Sequence, residues 1–195
     1  MINENIIVDL SSEFTENKVY LCDSEEFGKT IKKIYKFKAG FYREVEAMNN
    51  VHEQLRPDIY YISEQEQVIY SSYNPMKVFP KDPITTLVAL TKKLHESSSK
   101  IGRVIDPGER YTVDNWMEYL VKRGENWLIE LNKYRNYNKI FYSQIEYLSK
   151  IYSQTLDSRV CIIHRDIRMD NVGEKDGKYI LFDYELAMWG DRYWD

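Results

Sequence analysis

The chain has 195 residues, with 27 Lys and Arg against 31 Asp and Glu, which gives a formal net charge of −4. This mildly acidic balance excludes the basic excess of a dedicated nucleic-acid-binding protein, and 43% hydrophobic with 30% charged residues excludes an intrinsically disordered chain. The two cysteines cannot build a disulfide framework, and the sequence has neither a membrane-length apolar run nor a signal-peptide pattern, so we expect a cytoplasmic protein.

The first third of the sequence predicts short β-strands arranged around one helix. β-Branched and aromatic runs separated by polar turns are typical of strands, and they occupy residues 6–8, 19–21, 30–35, 59–62 and 68–73. Between the third and fourth runs, residues 43–56 have the apolar spacing of a helix. We therefore expect a small β-rich N-terminal lobe formed by residues 1–74.

After Asn74-Pro75, which is a break signal, the sequence predicts long helices. Their apolar stripes are Ile84, Leu87, Val88, Thr91 and Leu94, then Trp116, Leu120, Trp127, Leu131 and Tyr134, then Phe141, Ile145, Leu148 and Tyr152. A break at Asp157-Ser158 precedes strand-like residues 160–163, and a turn at residues 173–177 precedes strand-like residues 179–182. We expect a mostly helical C-terminal lobe, residues 75–195, that carries one β-hairpin, with a ligand cleft between the lobes.

Polar residues suited to phosphoryl transfer follow the strand-like residues 160–163. His164, Asp166 and Asn171 fit the pattern H-x-D-x(4)-N, and Asp183 follows the next predicted strand. Transfer of a nucleotide phosphoryl group needs one carboxylate to receive or orient the attacking hydroxyl. A second carboxylate and an amide oxygen must hold Mg²⁺, which prefers oxygen ligands. A β-hairpin would bring these groups close together, because Asn171 and Asp183 lie near its two ends and the ends of a hairpin are adjacent. The alternative is that Asp and Asn occur here only as common turn residues.

Residues 164–171 closely resemble the catalytic loop of eukaryotic-type kinases. The D-x-E at residues 183–185 and the G-D-x-x-x-D at residues 190–195 instead resemble the aminoglycoside phosphotransferase and choline kinase branch. This resemblance implies a two-lobed, protein-kinase-like α+β fold that binds ATP, or alternatively GTP, with Mg²⁺. It implies that Asp166 is the catalytic base, that Asn171 and Asp183 are the magnesium ligands, and that His164 holds the loop.

Kinases of this type need a strand lysine for the nucleotide phosphates and a helix glutamate that fixes it. Lys33 alternates with Ile31 and Tyr35 on one face of the predicted strand, and by resemblance it is the lysine. Lys32 and Lys36 are rivals in the same basic stretch.

Glu44 is the predicted partner of this lysine. It shares the apolar face of its predicted helix with Met48, Val51 and Leu55, whereas Glu46 shares a solvated face. A carboxylate on an apolar face should be paired, because burial without a partner is costly. The alternative is a Glu at the edge of the stripe that reaches solvent.

The loop before the second strand, residues 11–18, has no glycine, although protein kinases use a glycine-rich loop there. The phosphotransferase branch tolerates polar loops that end in an asparagine. Asn17 matches this position, so the resemblance implies a nucleotide-binding role for it.

The acceptor cannot be identified from a short motif. The resemblance favours a hydroxyl of a small molecule, most directly an aminoglycoside-type antibiotic or related amino sugar, with a choline- or ethanolamine-type kinase as the alternative. A cationic acceptor would suit the net charge of −3 over residues 183–195. An alternative from another functional class is a nucleotide-binding pseudokinase or partner module. His95 is predicted to pack rather than to bind a ligand.

The sequence ends on the last residue of the G-D-x-x-x-D pattern. Full-length relatives continue with helices that complete the acceptor pocket, so we expect a truncated C-terminus. We also expect uncovered apolar surface near Ile162, Leu186, Trp189 and Trp194, which would favour self-association.

Overall fold

The computed structural model describes residues 2–13, 16–152 and 159–195. The N-terminal strands form one antiparallel sheet in the order β1-β2-β3-β5-β4. The strands are β1 (Glu4–Asp9), β2 (Lys18–Ser24), β3 (Gly28–Ile34), β4 (Ile59–Ser63) and β5 (Val68–Ser72). All five strands predicted in this region are therefore confirmed.

Helix α1 (Lys38–Asn50) begins five residues before its predicted start and ends before its predicted end. Its N-cap, Phe37, provides no capping side chain and Gly40 lies in its first turn, so the sequence lacks the usual start signal. At the other end, Val51 is extended, and a separate 3₁₀ turn occupies Glu53–Leu55.

The C-terminal part contains the three predicted helices. These are α2 (Pro83–Ser98), α3 (Trp116–Leu131) and α4 (Asn138–Tyr152). Asp82 and Asn115 cap α2 and α3, because their side-chain oxygens accept hydrogen bonds from the amides of Thr85 and Glu118, each at 3.0 Å. The fold is α+β, as predicted.

A second antiparallel sheet, which the sequence did not indicate, lies among these helices. It comprises β6 (Lys100–Ile101), β7 (Val104–Asp106), β8 (Tyr111–Val113), β9 (Arg159–Ile163) and β12 (Met188–Gly190), in the order β6-β9-β12-β7-β8. Four of its strands have two or three residues each, too few to produce a periodic pattern.

The predicted hairpin consists of β10 (Val172–Lys175) and β11 (Lys178–Leu181). Its turn therefore connects β11 with β10 and not with residues 160–163, which belong to the second sheet as β9. Asp176 and Gly177 have φ of +52° and +73°, as a two-residue type I′ turn requires. The predicted break at Asp157-Ser158 lies outside the described residues.

The apolar stripes of the helices are only partly buried. Leu90 and Leu94 of α2 enter the main core, but Ile84 and Val88 are 75% and 62% exposed. On α3, Trp116 is buried, whereas Trp127 is 60% exposed. Periodicity therefore identified these helices correctly but did not identify which part of each stripe meets the core.

Two of the four apolar residues predicted to be uncovered are buried, and the other two are exposed. Ile162 and Trp189 are buried because they are paired residues on adjacent strands of the second sheet. Leu186 and Trp194, in the segments flanking β12, are 39% and 46% exposed. Among the described residues, no helix has both the length and the apolarity needed to cross a membrane.

Helix α1 is attached to the second sheet by two polar contacts. Arg43 binds both carboxylate oxygens of Asp106, with N–O distances of 2.7 and 2.9 Å. The indole N–H of Trp189 donates to Glu46 at 2.8 Å. Glu46 is therefore half-buried, although it was predicted to lie on a solvated face of the helix. A Cβ at Gly108 would lie 2.7 Å from the carbonyl oxygen of Ala39, so the turn between β7 and β8 approaches α1 only because it lacks a side chain there.

Asp106→Ala should destabilise the protein by about 3 kcal/mol, because it leaves the Arg43 guanidinium without its partner in a buried site. The Asp106 side chain is fully buried. Chemical unfolding at pH 7 measures the change in the free energy of unfolding. The control is Asp114→Ala, which removes an exposed pair with Arg103 and should cost less than about 1 kcal/mol. Equal effects of the two substitutions would contradict a structural role for the buried pair.

Candidate functional site

The Lys33 ammonium is the centre of a buried charge cluster. Its Nζ lies 2.8 Å from Glu44 Oε2 and 3.1 Å from Glu185 Oε2, and it also pairs with Asp183 Oδ1. The hydroxyl of Tyr35 donates to Glu44. The structure thus brings together the predicted lysine, the predicted glutamate and one predicted metal ligand.

The rival lysines face elsewhere. Lys32 points to the opposite face of the sheet, where it pairs with Glu4 at 2.6 Å, and Lys36 pairs with Glu16 in an exposed position. Strand alternation therefore places Lys33, and not Lys32, on the face of the sheet that meets Glu44. Tyr35 was missed as a polar partner, although it follows Lys33 by two residues and so faces the same side.

The electrostatics of the cluster favour a charged lysine. Burial alone would lower the pKa of Lys33, but Glu44 and the other nearby acids outweigh it and hold that pKa well above its ordinary value. Burial raises the pKa of Glu44, and the charge of Lys33 opposes this rise. One ammonium faces three carboxylates, so the cluster has an excess of negative charge that suits a bound cation.

The second group of predicted residues lies at the root of the hairpin. Asn171 directly precedes β10, and Phe182 separates Asp183 from the end of β11. The amide of Phe182 donates to the Asn171 carbonyl at 3.0 Å. The Asn171 side-chain amide donates to the backbone oxygen and to Oδ2 of Asp166, both at 2.9 Å. Asp166 itself is partly exposed, and Arg168 Nε lies 3.4 Å from its Oδ2.

These contacts test whether Mg²⁺ would fit. Because the Asn171 amide nitrogen is used by Asp166, its Oδ1 is left without a donor among the described residues and can serve as a ligand. Asp183 adds a carboxylate that is one-third exposed. Two oxygen ligands on either side of one hairpin suit a hard cation that takes its other ligands from phosphate and water.

The backbone of the loop after β9 is held by Asp195, whose role the sequence did not reveal. Its fully buried carboxylate accepts hydrogen bonds from the amides of His164, at 2.8 Å, and Arg165, at 2.6 Å. His95 Nε2 lies 2.9 Å from the same carboxylate, so this histidine has the predicted structural role. Arg165 and Asp183 have φ of +68° and +65°, a conformation that non-glycine residues keep only where the surroundings enforce it.

His164 stabilises the loop from within the core. Its side chain is fully buried, and its Nε2 lies 3.0 Å from the carbonyl oxygen of Phe182, which requires a proton on that nitrogen. Nδ1 has no hydrogen-bond partner. Burial lowers the pKa of His164, so the folded protein keeps this ring neutral.

A cleft of about 510 Å³ extends from the charge cluster to the segment after β5. Its walls are mainly apolar, with Val19, Ile31, Ile69, Val172 and Phe182 among them, and the residues from Ser71 to Asn74 also line it. Asn17 lies at the cluster end, where its Nδ2 donates to Glu185 Oε2 at 2.5 Å. Phe14 and Thr15 of the same loop lie outside the described residues.

Solved structures with a similar fold include aminoglycoside phosphotransferases. An aminoglycoside phosphotransferase APH(4)-Ia, in a ternary complex with AMP-PNP and hygromycin B, has a TM-score of 0.65 and 15% identity, with 97% of this chain and 70% of that chain covered. The chain has the aminoglycoside phosphotransferase fold. No protein-family model and no curated protein sequence matches it.

Two further structures show the range of proteins with this fold. APH(2'')-IIa, in a ternary complex with streptomycin and ATP, has a TM-score of 0.59 and 18% identity over 97% of this chain and 68% of that chain. A protein assigned as a fructosamine-3-kinase from Haemophilus somnus 129PT has a TM-score of 0.65 and 14% identity over 98% of this chain and 68% of that chain. The predicted kinase-like fold is confirmed by these similarities.

Stability should fall as the pH decreases below about 6.5, the ordinary pKa of histidine, because the unfolded chain then binds a proton that the folded His164 ring excludes. Above that pH the neutral His164 ring causes no loss of stability. As the pH falls below it, the free energy of unfolding decreases by up to about 1.4 kcal/mol per pH unit. Unfolding midpoints between pH 8 and pH 5 measure the slope. His164→Gln should flatten it, whereas His52→Gln, at an exposed position, should not. An identical slope in His164→Gln and the parent protein would contradict this assignment.

Proposed function

We propose that this protein transfers the γ-phosphoryl group of ATP to a hydroxyl group of a small molecule. The observation that carries the proposal is the Lys33–Asp183 pair on the wall of a cleft of about 510 Å³. Asn171, which holds Asp166, is linked by its backbone carbonyl to Phe182 of the same wall. Residues 1–74 would form the nucleotide-binding lobe, and residues 75–195 would carry the catalytic and metal-binding loops.

Each residue has a role that its contacts permit. Lys33, fixed by Glu44, would bind the nucleotide phosphates, and Asn17 would contact them from the loop between β1 and β2. Asn171 and Asp183 would hold Mg²⁺, which neutralises phosphate charge when bound. The apolar walls would enclose the base, and the segment from Ser71 to Asn74 would contact its edge through backbone groups.

Asp166 would act as the base. The acceptor hydroxyl attacks the γ-phosphorus, the bond to the β-phosphate oxygen breaks, and the hydroxyl proton passes to the Asp166 carboxylate. One hydrogen bond from the Asn171 side-chain amide holds this carboxylate and a second holds the backbone oxygen of Asp166, and the partial exposure of the carboxylate leaves it accessible to an acceptor.

For the acceptor, we propose an aminoglycoside-type antibiotic or a related amino sugar. The charge around the site supports a cationic molecule, because Asp183 lines the cleft and the Asp166, Asp183 and Glu185 carboxylates are all partly exposed. APH(4)-Ia and APH(2'')-IIa were crystallised with hygromycin B and streptomycin respectively, which places such acceptors first in a test.

The acceptor test uses mass spectrometry of products after incubation with Mg²⁺ and ATP or GTP. Aminoglycosides, fructosamine, choline and ethanolamine form the panel. A phosphorylated aminoglycoside or amino sugar is the expected product. Phosphocholine would identify the alternative kinase class instead. Nucleotide binding without any phosphorylated product would contradict the transferase proposal and support a nucleotide-binding partner module.

Asp166→Asn should lower turnover by about 10²–10⁴-fold, because it removes the base, while the unfolding midpoint and nucleotide affinity stay close to those of the parent protein. The matched control is Asp170→Asn, the same substitution at an exposed position of the same loop, which should retain activity. Loss of stability and nucleotide affinity together with activity would show that Asp166 is structural.

Asp183→Asn should remove most of the Mg²⁺-dependent gain in ATP affinity, because an amide is a weaker ligand than a carboxylate. Asparagine tolerates the positive φ at this position. Calorimetric titration of ATP with and without Mg²⁺ measures the gain. Asp176→Asn, at another positive-φ position in the hairpin turn, is the control and should behave like the parent protein. An unchanged Mg²⁺ effect in Asp183→Asn would remove Asp183 from the metal site.

A further inference from the structure

Glu185 connects two groups on the phosphate side of the cleft that belong to different strands and loops. Its Oε2 accepts a hydrogen bond from Asn17 Nδ2 at 2.5 Å and lies 3.1 Å from Lys33 Nζ. Asn17 lies just before β2, Lys33 lies on β3, and Glu185 lies in the segment between β11 and β12. Glu185 is only 22% exposed, so it is held at this junction and does not extend into solvent.

The contacts of the Lys33 ammonium determine which of its N–H groups can reach a bound phosphate. An ammonium group has three N–H donors. Glu44 and Asp183 accept hydrogen bonds from two of them, and the Glu185 carboxylate forms an ion pair with the ammonium at 3.1 Å. If Asp183 turns to Mg²⁺ when a metal–nucleotide complex arrives, one donor of Lys33 becomes available for a phosphate oxygen. The hydrogen bond to Glu44 and the ion pair with Glu185 then restrain the ammonium and so determine where the free donor points.

Asn17 is restrained in the same way. Its Oδ1 accepts from the amide of Lys36 at 3.1 Å, and one of its two N–H groups donates to Glu185. Its second N–H has no acceptor among the described residues, and Asn17 lines the cleft. Glu185 therefore fixes the side-chain amide while leaving one donor free.

We propose that Glu185 is a positioning residue for the nucleotide phosphates, which orients the Lys33 ammonium and the Asn17 amide so that each offers one N–H to a phosphate oxygen. This inference rests on the proposed function and adds a residue to it. The competing interpretation is that Glu185 is a third carboxylate that repels phosphate and occupies Lys33. The two interpretations predict opposite effects of removing its charge.

The test is a double-mutant cycle on Asn17 and Glu185, with Mg²⁺-ATP and adenosine as the two probes. Glu185→Ala should weaken Mg²⁺-ATP binding by about tenfold or more, the typical effect of losing a charge-assisted hydrogen bond. Glu185→Gln keeps an oxygen for Asn17 but no charge for Lys33, so it should bind with intermediate affinity. The double variant with Asn17→Ala should lose less affinity than the two single losses combined.

Adenosine separates positioning from a general structural effect. It lacks the phosphates, so its affinity should be the same in the parent protein and in all four variants, namely Glu185→Ala, Glu185→Gln, Asn17→Ala and the double variant. Glu66→Ala, an exposed glutamate in the turn between β4 and β5, is the matched control and should leave both probes unaffected. A parallel loss of adenosine affinity would show that Glu185 only maintains the shape of the cleft and would overturn the proposal.

Two other results are decisive. Unchanged or tighter Mg²⁺-ATP binding by Glu185→Ala would overturn the positioning role and leave the proposed function intact. A parent protein that binds neither Mg²⁺-ATP nor Mg²⁺-GTP would instead contradict the proposed function, and the positioning role with it.

Discussion

The buried Lys33 ammonium is the interaction on which the site depends. It lies on a strand of the N-terminal sheet, and its partners are on α1, through Glu44, and on the segment after the hairpin, through Asp183 and Glu185. A buried lysine without a partner is costly, so each of these three parts of the chain must keep its place for the charge to be compensated. The same contacts direct the only charged donor of the cluster toward the cleft. Stability and proposed function therefore impose the same geometry.

A second carboxylate, Asp195, holds the loop that carries Asp166. Because Asp195 accepts from two consecutive backbone amides, it fixes the positive-φ conformation at Arg165 from outside the loop. The neutral His164 ring connects the loop to Phe182, next to Asp183. The hairpin then sets the spacing between Asn171 and Asp183. Side chains that never contact substrate thus position those proposed to do so.

The site was most predictable where a residue type and its spacing follow from chemistry. The loop around Asp166 was indicated by its residue types and spacing together with the resemblance. Lys33 was indicated by strand alternation and the same resemblance, with Lys32 and Lys36 left open. Glu44 was predicted from its place on an apolar helix face. The start of α1 and the four short strands of the second sheet were missed, since neither has a capping residue or a periodic pattern long enough to detect.

The sequence by itself determined the α+β class, the order of the long elements and the residue types of the site, because strand and helix periodicity and turn chemistry are local properties. Only the tertiary structure decided which polar groups meet. Asp195 reaches the loop 30 residues before it, and Glu185 reaches Asn17 across 168 positions. The apolar stripes of α2 and α3 are buried at some positions and exposed at others, according to what packs beside them. Long-range contacts leave no periodic signal in one sequence, since they depend on how the sheets and helices pack together.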